Sequence, residues 1–336
     1  MKNRPTMPKM DLLKFFFSIC IVAIHTNLFC EYPDFHYWFE KAILRLAVPF
    51  FMCASGYLFA IKCWNGNQFI IEKSILNQYS RRLLILLLVF EPISIVLRIL
   101  IMRLNGVDGV GIALRVVRSI LFYPWGALWY IQAVLVGIWL AYYVLKRRSL
   151  YSSIIYGIFL YGCGMLCNSY YWLIEGGKLQ VAVDVYLKFC VSARNGLFMG
   201  YIYILTGFLC ARIKLKHPVV FTLLFYMLYI LELHLLHDYH MKDDGTLFIF
   251  LPVVAFGLVQ VATNNFSSEL RTVILRNLST GIYLLHRPLT YFFQILALCG
   301  LINLSNEARF VLTVSFLIIF CLLAYKMNWK LVRFIK

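Results

Sequence analysis

Long apolar runs, separated by short polar and basic stretches, cover almost the whole chain. A membrane-spanning helix needs about 20 mainly apolar residues, and the pattern predicts about ten such segments with both ends of the chain on one side. With approximate edges, the predicted spans are residues 12–30, 43–61, 83–102, 127–145, 151–168, 195–211, 218–236, 247–263, 279–299 and 309–326. Two polar-interrupted stretches, 105–124 and 168–194, are each expected to hold a short interfacial helix.

The composition agrees with this pattern. The 336 residues are 62% hydrophobic and 14% charged, with a mean hydropathy of +0.78, whereas a soluble domain is about 25% charged. We therefore expect an all-α integral membrane protein, with a single polytopic membrane domain over residues 1–336 and no soluble domain. The first apolar run is too long for a signal peptide, and we expect it to stay as an uncleaved anchor.

The net charge of +17 raises the question of a nucleic-acid partner, but its distribution points to membrane topology instead. Lysine and arginine concentrate on the cytoplasmic side of membrane proteins. If the N-terminus is cytoplasmic, most basic residues fall in inner loops, and both termini lie inside. The inner loops are then residues 62–82, 146–148, 212–216 and 271–276.

The first predicted span carries two ionisable residues, Lys14 and His25. At 100° per residue, the eleven steps between them make about three turns, so both side chains share one helix face about 16 Å apart. Ionisable groups inside a span usually mark a functional path. The topology puts Lys14 near the cytoplasmic interface and His25 in the outer half of the membrane. The alternatives are a lysine that only reaches for the interface and a histidine that only packs.

A cytoplasmic cation and a deeper histidine suit a ligand with an anionic head and a distant reactive end, as in an acyl-CoA. Lysine pairs with phosphate as a point charge. Histidine can take a proton from a hydroxyl and pass it on. These residue types therefore favour acyl transfer without a metal. Spacing alone does not exclude the two alternatives.

Five sequence motifs occur along the chain in one order. They are Asp11-x-x-Lys14 with His25 after ten residues, RLAVPFFMCASGY at 45–57, LWY at 128–130, the late-span Glu232, and GIYLLHRP at 281–288. Together they resemble the membrane acyltransferase-3 family over essentially the whole chain. The resemblance implies a ten-span enzyme that transfers an acyl group, usually acetyl from acetyl-CoA, to a hydroxyl of an extracytoplasmic or lipid-linked glycan. It implies a catalytic role for His25 and a place for Lys14 on the acyl-CoA path.

The chain departs from that family at two places. Tyr79 stands where members often begin an RxxR motif, so only Arg81 and Arg82 remain there to contact the acyl-CoA phosphates. Ala127 replaces a histidine that many members carry before the LW pair.

Two further charged residues are candidates for the catalytic site. Arg45, at the outer start of the second span, could steady an anionic acceptor or the developing oxyanion, or it could be an interfacial arginine with no ligand. Glu232 could orient His25 or pair with Arg45, or it could belong to a structural ion pair.

The remaining candidates concern the two substrates. His286 could line the channel for the pantetheine arm of acyl-CoA, or bond to the carbonyl freed by the missing N–H of Pro288. Trp125 and Trp129 could stack on sugar rings of the acceptor, or simply belong to the interfacial belt of aromatic residues.

A function from another class stays open. In a proton-coupled transporter or flippase of a glycolipid or polysaccharide precursor, Lys14, His25, Glu91 and Glu232 would form a proton relay. The sequence lacks the paired, interrupted half-repeats common in transporters, which favours the enzyme. The spacing of His234, His237 and His240 does not match a zinc site. We therefore expect acyl-CoA as co-substrate, a glycan acceptor, a lipid bilayer, no nucleic acid, and a location in the inner (cytoplasmic) membrane of a bacterium.

Overall fold

The computed structural model describes residues 7–63, 70–264 and 272–327, and within these ranges it is helical without any strand. The all-α prediction is therefore confirmed. The α-helices of the described ranges are α1 (Pro8–His25), α2 (Pro33–Trp38), α3 (Ala47–Cys63), α4 (Lys73–Leu104), α5 (Gly109–Leu121), α6 (Trp129–Leu145), α7 (Leu150–Leu166), α8 (Lys178–Cys190), α9 (Tyr201–Arg212), α10 (Pro218–Leu236), α11 (Leu251–Thr263), α12 (Val273–Leu298) and α13 (Asn306–Lys326).

Short non-α helical segments extend some of these elements. A π-helical segment, Phe39–Ile43, and a 3-10 turn, Leu44–Leu46, join α2 to α3. A second π-helical segment, Gly196–Gly200, leads directly into α9, and a 3-10 turn, Tyr171–Leu173, lies between α7 and α8.

Some of the helices have the length and apolarity of membrane spans. Among the described residues, four helical stretches are long and apolar enough to cross a membrane, and four shorter ones are also apolar. The four long stretches are Pro33–Cys63, Lys73–Leu104, Pro218–Leu236 and Asn306–Lys326. Each of the ten predicted segments overlaps a helix, and four of them overlap the stretches that are long and apolar enough to cross a membrane. The number of spans and the side of the termini stay predictions.

Some predicted edges were wrong. The first span was expected to run to residue 30, but α1 ends at His25, because Asn27 (φ 53°) and Phe29 (φ 64°) adopt left-handed backbone conformations that a right-handed helix excludes. Proline at its first position favours the start of α1 at Pro8. His25 therefore lies at the end of its helix and faces a turn.

The chain forms two compact units. The first contains Met1–Ala47, Pro92–Ile112 and Val261–Lys336, and the second contains Val48–Glu91 and Ala113–Gln260. In the first unit, α12 packs against both α1 and α13. Their core is formed by the buried side chains of Val22, Ile282 and Leu317, one from each helix.

In the second unit, α6 packs closely against α9 and the π-helical segment before it. A Cβ atom on Gly196 or Gly200 would collide with Val136 or with the backbone of Ala133. The Gly196-x-x-x-Gly200 pattern therefore serves packing within the chain, as small residues do where membrane helices approach closely.

The two predicted interfacial stretches both contain a helix. In α5, the side chains of Val110, Leu114, Val117 and Leu121 are more than half exposed and recur at helical spacing. In α8, Val181, Val185 and Phe189 form a similar exposed apolar face. Such one-sided helices suit the membrane interface.

A candidate active site at the end of the first helix

The Lys14 end of α1 is held by a buried carboxylate. Asp11 is 2% exposed and accepts hydrogen bonds from Thr272 Oγ1 (2.8 Å) and from Arg276 Nε (2.9 Å) and Nη2 (3.0 Å). One turn further, Ser279 Oγ donates to the backbone carbonyl of Lys14 at 3.0 Å. These bonds fix α1 against α12 around Lys14.

The other end of α1 brings His25 to His286 of α12. Their rings stack with centroids 5.2 Å apart and an interplanar angle of 22°. In the sequence these two histidines belong to separate motifs, and the packing of α1 on α12 brings them together. Since both helices belong to the first unit, the pair is a property of that unit alone.

The protonation of His286 follows from its partners. Its ring is fully buried, and Nδ1 lies 2.8 Å from the carbonyl oxygen of Tyr283 and 3.1 Å from that of Ile282. Carbonyls only accept, so Nδ1 carries the proton. One of the two expectations for His286 was a hydrogen bond to the carbonyl freed by Pro288, which is that of Leu284. His286 does bond to helix carbonyls, but they are those of Ile282 and Tyr283, so the expected partner was wrong. Nε2 is buried without a hydrogen-bond partner among the described residues.

A small cavity of about 40 Å³ opens beside His25. Its wall is polar, and two of its side chains are guanidinium groups. The cavity is lined by His25, Thr26, Arg287, Thr290, Phe293, Gln294 and Arg309. A volume of about 10–15 Å³ is enough for one water molecule, so the cavity has room for one small polar group but not for a sugar ring.

Arg45 lies in the same unit, on the 3-10 turn that packs on α1. Its Nε donates to Glu40 Oε1 at 2.8 Å, and the other oxygen of Glu40 lies 3.0 Å from His36 Nε2. His36 Nδ1 in turn lies 2.8 Å from the carbonyl oxygen of Leu28, beyond the end of α1. Arg45 thus forms an ion pair with Glu40, and its role toward substrate stays a prediction.

Glu232 belongs to the second unit and lies near the end of α10. Its carboxylate accepts hydrogen bonds from Tyr170 Oη (2.6 Å), from the backbone N–H of Ile249 (2.6 Å) and from that of Phe250 (3.1 Å). The two amides immediately precede α11, so Glu232 satisfies donors at the start of that helix. This arrangement supports a structural role, and a catalytic role stays a prediction.

The predicted acceptor tryptophans also lie in the second unit. Trp129 is 8% exposed; Tyr123 stacks on it at 5.7 Å, and the guanidinium of Arg194 lies 5.6 Å from its ring centroid. Arg194 Nη2 also forms an ion pair with Asp243 Oδ1 at 2.7 Å. Burial raises the pKa of the Asp243 carboxyl, although the nearby Arg194 lowers it. The backbone N–H of Trp125 donates to Glu91 Oε1 at 3.0 Å.

Arg81 and Arg82 are exposed on the first half of α4. Arg81 lines one end of a largely apolar groove of about 700 Å³ between α4 and α6, which Trp139 helps to close by donating to Ser80 Oγ at 2.9 Å. The predicted contact of these arginines with acyl-CoA stays a prediction.

Sequence reasoning missed several residues that line the cavity or belong to the hydrogen-bond networks of the predicted site residues. They are Arg287, Arg309, Glu40, His36 and Tyr170. In the sequence, Arg287 stands out as a charge within a predicted span and as part of the GIYLLHRP motif. No local spacing links Arg309 or Tyr170 to its neighbours, because helix packing alone brings them there. The sequence signal for the two arginines was their position inside or at the edge of apolar segments.

The comparisons with known proteins agree with the sequence motifs. A family model described as an acyltransferase domain of the acyltransferase-3 family matches residues 7–326. The chain is 25% identical to a serine/alanine racemase of Enterococcus gallinarum over 77% of this chain and 37% of that protein. It is 27% identical to an amino-acid racemase of Enterococcus faecalis over 80% of this chain and 38% of that protein.

The chain thus spans about two fifths of the length of these curated relatives. No solved structure matches it. The family match covers nearly all of the described helices, including both histidines of the stacked pair and the cavity beside them. The chain belongs to the acyltransferase-3 family of membrane acyltransferases.

Proposed function

We propose that the protein is an integral-membrane O-acyltransferase of the bacterial cytoplasmic membrane. It takes an acyl group, most simply acetyl, from cytoplasmic acyl-CoA and passes it to a hydroxyl of an extracytoplasmic or lipid-linked glycan. The observation that carries this proposal is the geometry of the first unit. A single helix presents Lys14 at one end and, at the other, His25 stacked on His286 beside a polar cavity.

The length of α1 suits the donor. Eleven helical steps lead from Lys14 to His25, which places them about 16 Å apart along the axis. The phosphates of acyl-CoA would pair with Lys14, and the extended pantetheine arm would bring the thioester to His25. The Asp11 carboxylate, bonded to Thr272 and Arg276, holds this helix in place.

His25 acts as the general base. Its neutral imidazole takes the proton of the acceptor hydroxyl as the oxygen attacks the thioester carbonyl. The resulting tetrahedral intermediate expels the CoA thiolate, which recovers the proton from the His25 imidazolium. The ester bond forms as the thioester bond breaks, and no further reactant is required. His286, fixed by two backbone carbonyls, supports the ring of His25 from one face.

The test is acetyl-CoA turnover by the full chain in proteoliposomes, followed as free thiol with a cell-envelope glycan fraction as acceptor. We expect His25→Ala to abolish thiol release and Lys14→Ala mainly to raise the KM for acetyl-CoA. The exposed His237, which pairs with Asp238, provides a control, and His237→Ala should behave as wild type. Full turnover by a folded His25→Ala protein would contradict the mechanism.

The racemase relatives favour a second candidate. They are described as serine/alanine and amino-acid racemases, so a membrane unit of this kind could handle an amino acid, either as acyl acceptor or as cargo of a transporter. Uptake of labelled serine into proteoliposomes without any acyl-CoA would favour transport. Thiol release that depends on serine would favour transfer to the amino acid.

A further inference from the structure

Two arginines beside His25 lack a carboxylate partner. Within the described ranges, no acidic side chain lies within ion-pair distance of Arg287 or Arg309, and the Nε of each is buried without a hydrogen-bond partner. The basic residues Arg276 and Arg45 of the same unit are each paired with a carboxylate. Among the described residues of this unit, the cavity therefore brings together two partly buried guanidinium groups that have no carboxylate within ion-pair distance.

The other contacts of the two arginines do not neutralise them. Arg287 donates from Nη2 to Tyr291 Oη at 2.8 Å, and its guanidinium lies 4.3 Å from the centroid of that ring. Glu307 interacts with Arg309 only at longer range, and one of its oxygens accepts the backbone N–H of Phe29 at 3.3 Å. Both side chains are partly buried, and the buried Nε of each has an unused hydrogen-bond donor, so these guanidinium groups suit an anionic ligand.

The cavity lies away from the proposed binding position of the acyl-CoA phosphates. It lies at the His25 end of α1, away from Lys14, and Arg309 reaches it from the first turn of α13. An anion bound here would therefore belong to the acceptor and not to the phosphates of acyl-CoA. The volume of about 40 Å³ suits a small planar group with the rest of its molecule outside.

We infer that Arg287 and Arg309 bind a carboxylate of the acceptor and so select an acidic acceptor. Arginine binds carboxylate with paired, charge-assisted hydrogen bonds. If the two guanidinium groups served only a transient oxyanion, their charges would lack a counter-ion before the reaction begins. A carboxylate of the bound acceptor would neutralise them already in the ground state. The inference rests on the function proposed above. It narrows the acceptor to a sugar acid or a hydroxyl-bearing amino acid such as serine. Each of these molecules carries both a carboxylate and a hydroxyl group that can be acylated.

Direct binding tests the carboxylate site without any need for turnover. The detergent-purified full chain would be titrated with glucuronate, glucose and serine, and binding followed by saturation-transfer NMR. We expect glucuronate or serine to bind at least tenfold more tightly than glucose, because charge-assisted bonds to arginine are lost with the neutral sugar. Equal binding of glucose, glucuronate and serine would overturn the inference.

Variants then locate the site. Arg287→Gln and Arg309→Gln should each weaken binding of the acid about tenfold or more without changing that of glucose. Arg287→Lys keeps the positive charge, so it should weaken binding of the acid less than Arg287→Gln does. Arg103 is exposed in the same unit, and Arg103→Gln is the matched control. Unchanged acid binding in both glutamine variants, with thermal unfolding like that of wild type, would overturn the inference.

Turnover separates the carboxylate role from oxyanion stabilisation. With an acidic glycan acceptor, Arg287→Gln should raise the acceptor KM about tenfold with little change in kcat, and with a neutral acceptor it should change neither. An equal loss of kcat with both acceptors would overturn the inference in favour of an oxyanion contact. Absence of thiol release from every acceptor would sink the proposed function, while the binding titration would still decide on the carboxylate site.

Discussion

The imidazole rings of His25 and His286 stack at 5.2 Å between centroids, although the two residues lie at opposite ends of the sequence. Each belongs to a different one of the five sequence motifs, both within the residues matched by the acyltransferase-3 family model, and the packing of α1 on α12 brings the two motifs together. His286 is the more constrained partner, since its Nδ1 is held by two helix carbonyls. The stack therefore fixes the orientation of the proposed base.

We predict that His286→Ala lowers kcat for thiol release about 10²-fold, as expected when a reacting group loses its precise position, while the KM for acetyl-CoA changes little. His286→Asn should recover part of the loss, because its side-chain amide can donate to the same carbonyls as Nδ1. Steady-state kinetics in proteoliposomes would measure both. A rise in the acetyl-CoA KM without loss of kcat would instead favour a role of His286 in the pantetheine channel.

The helices, and the presence of Lys14 and His25 on one helix, could be predicted from sequence because their signals are local. Runs of apolar residues define spans, and the eleven-residue interval between Lys14 and His25 defines a shared face. The exact end of α1 at His25 could not, because it depends on the positive φ angles of Asn27 and Phe29. The partners of the site could not be predicted either, since Arg309 reaches the cavity from α13 through packing of distant helices.

The Asp11 contacts predict a combined effect on stability and donor binding. Asp11→Asn removes a charge that accepts three hydrogen bonds from Thr272 and Arg276. We expect the free energy of unfolding to fall by about 1.5–3 kcal/mol and the KM for acetyl-CoA to rise, because Lys14 lies one turn away. Thermal unfolding in detergent and kinetics would check this. The matched control is Asp238→Asn, at a side chain that is 96% exposed, and it should change neither the stability nor the KM. If Asp11→Asn also behaved as wild type, the proposed role of Asp11 would be refuted.

The contacts of Glu232 predict that it stabilises the second unit. Glu232→Gln puts an N–H₂ group against donors from Tyr170, Ile249 and Phe250, so we expect a loss of about 1–3 kcal/mol in the free energy of unfolding. The kcat of the folded fraction should stay within a few-fold of wild type. Glu175→Gln, in the same unit but half-exposed, is the control. A collapse of kcat at unchanged stability would instead establish Glu232 as part of the catalytic site.

Two glycines of the second unit test the close packing of its helices. A Cβ on Gly207 of α9 would meet the backbone of Cys53, Gly56 and Tyr57 on α3, whereas a Cβ on Gly162 of α7 would have no neighbour within 4 Å. Gly207→Ala should therefore lower the free energy of unfolding by about 1–3 kcal/mol, as overpacking does. Gly162→Ala should raise it by about 0.5–1 kcal/mol, because alanine loses less backbone entropy in a helix. Thermal unfolding in one detergent compares the two directly, and equal stability of both variants would mean that α3 and α9 can separate at little cost.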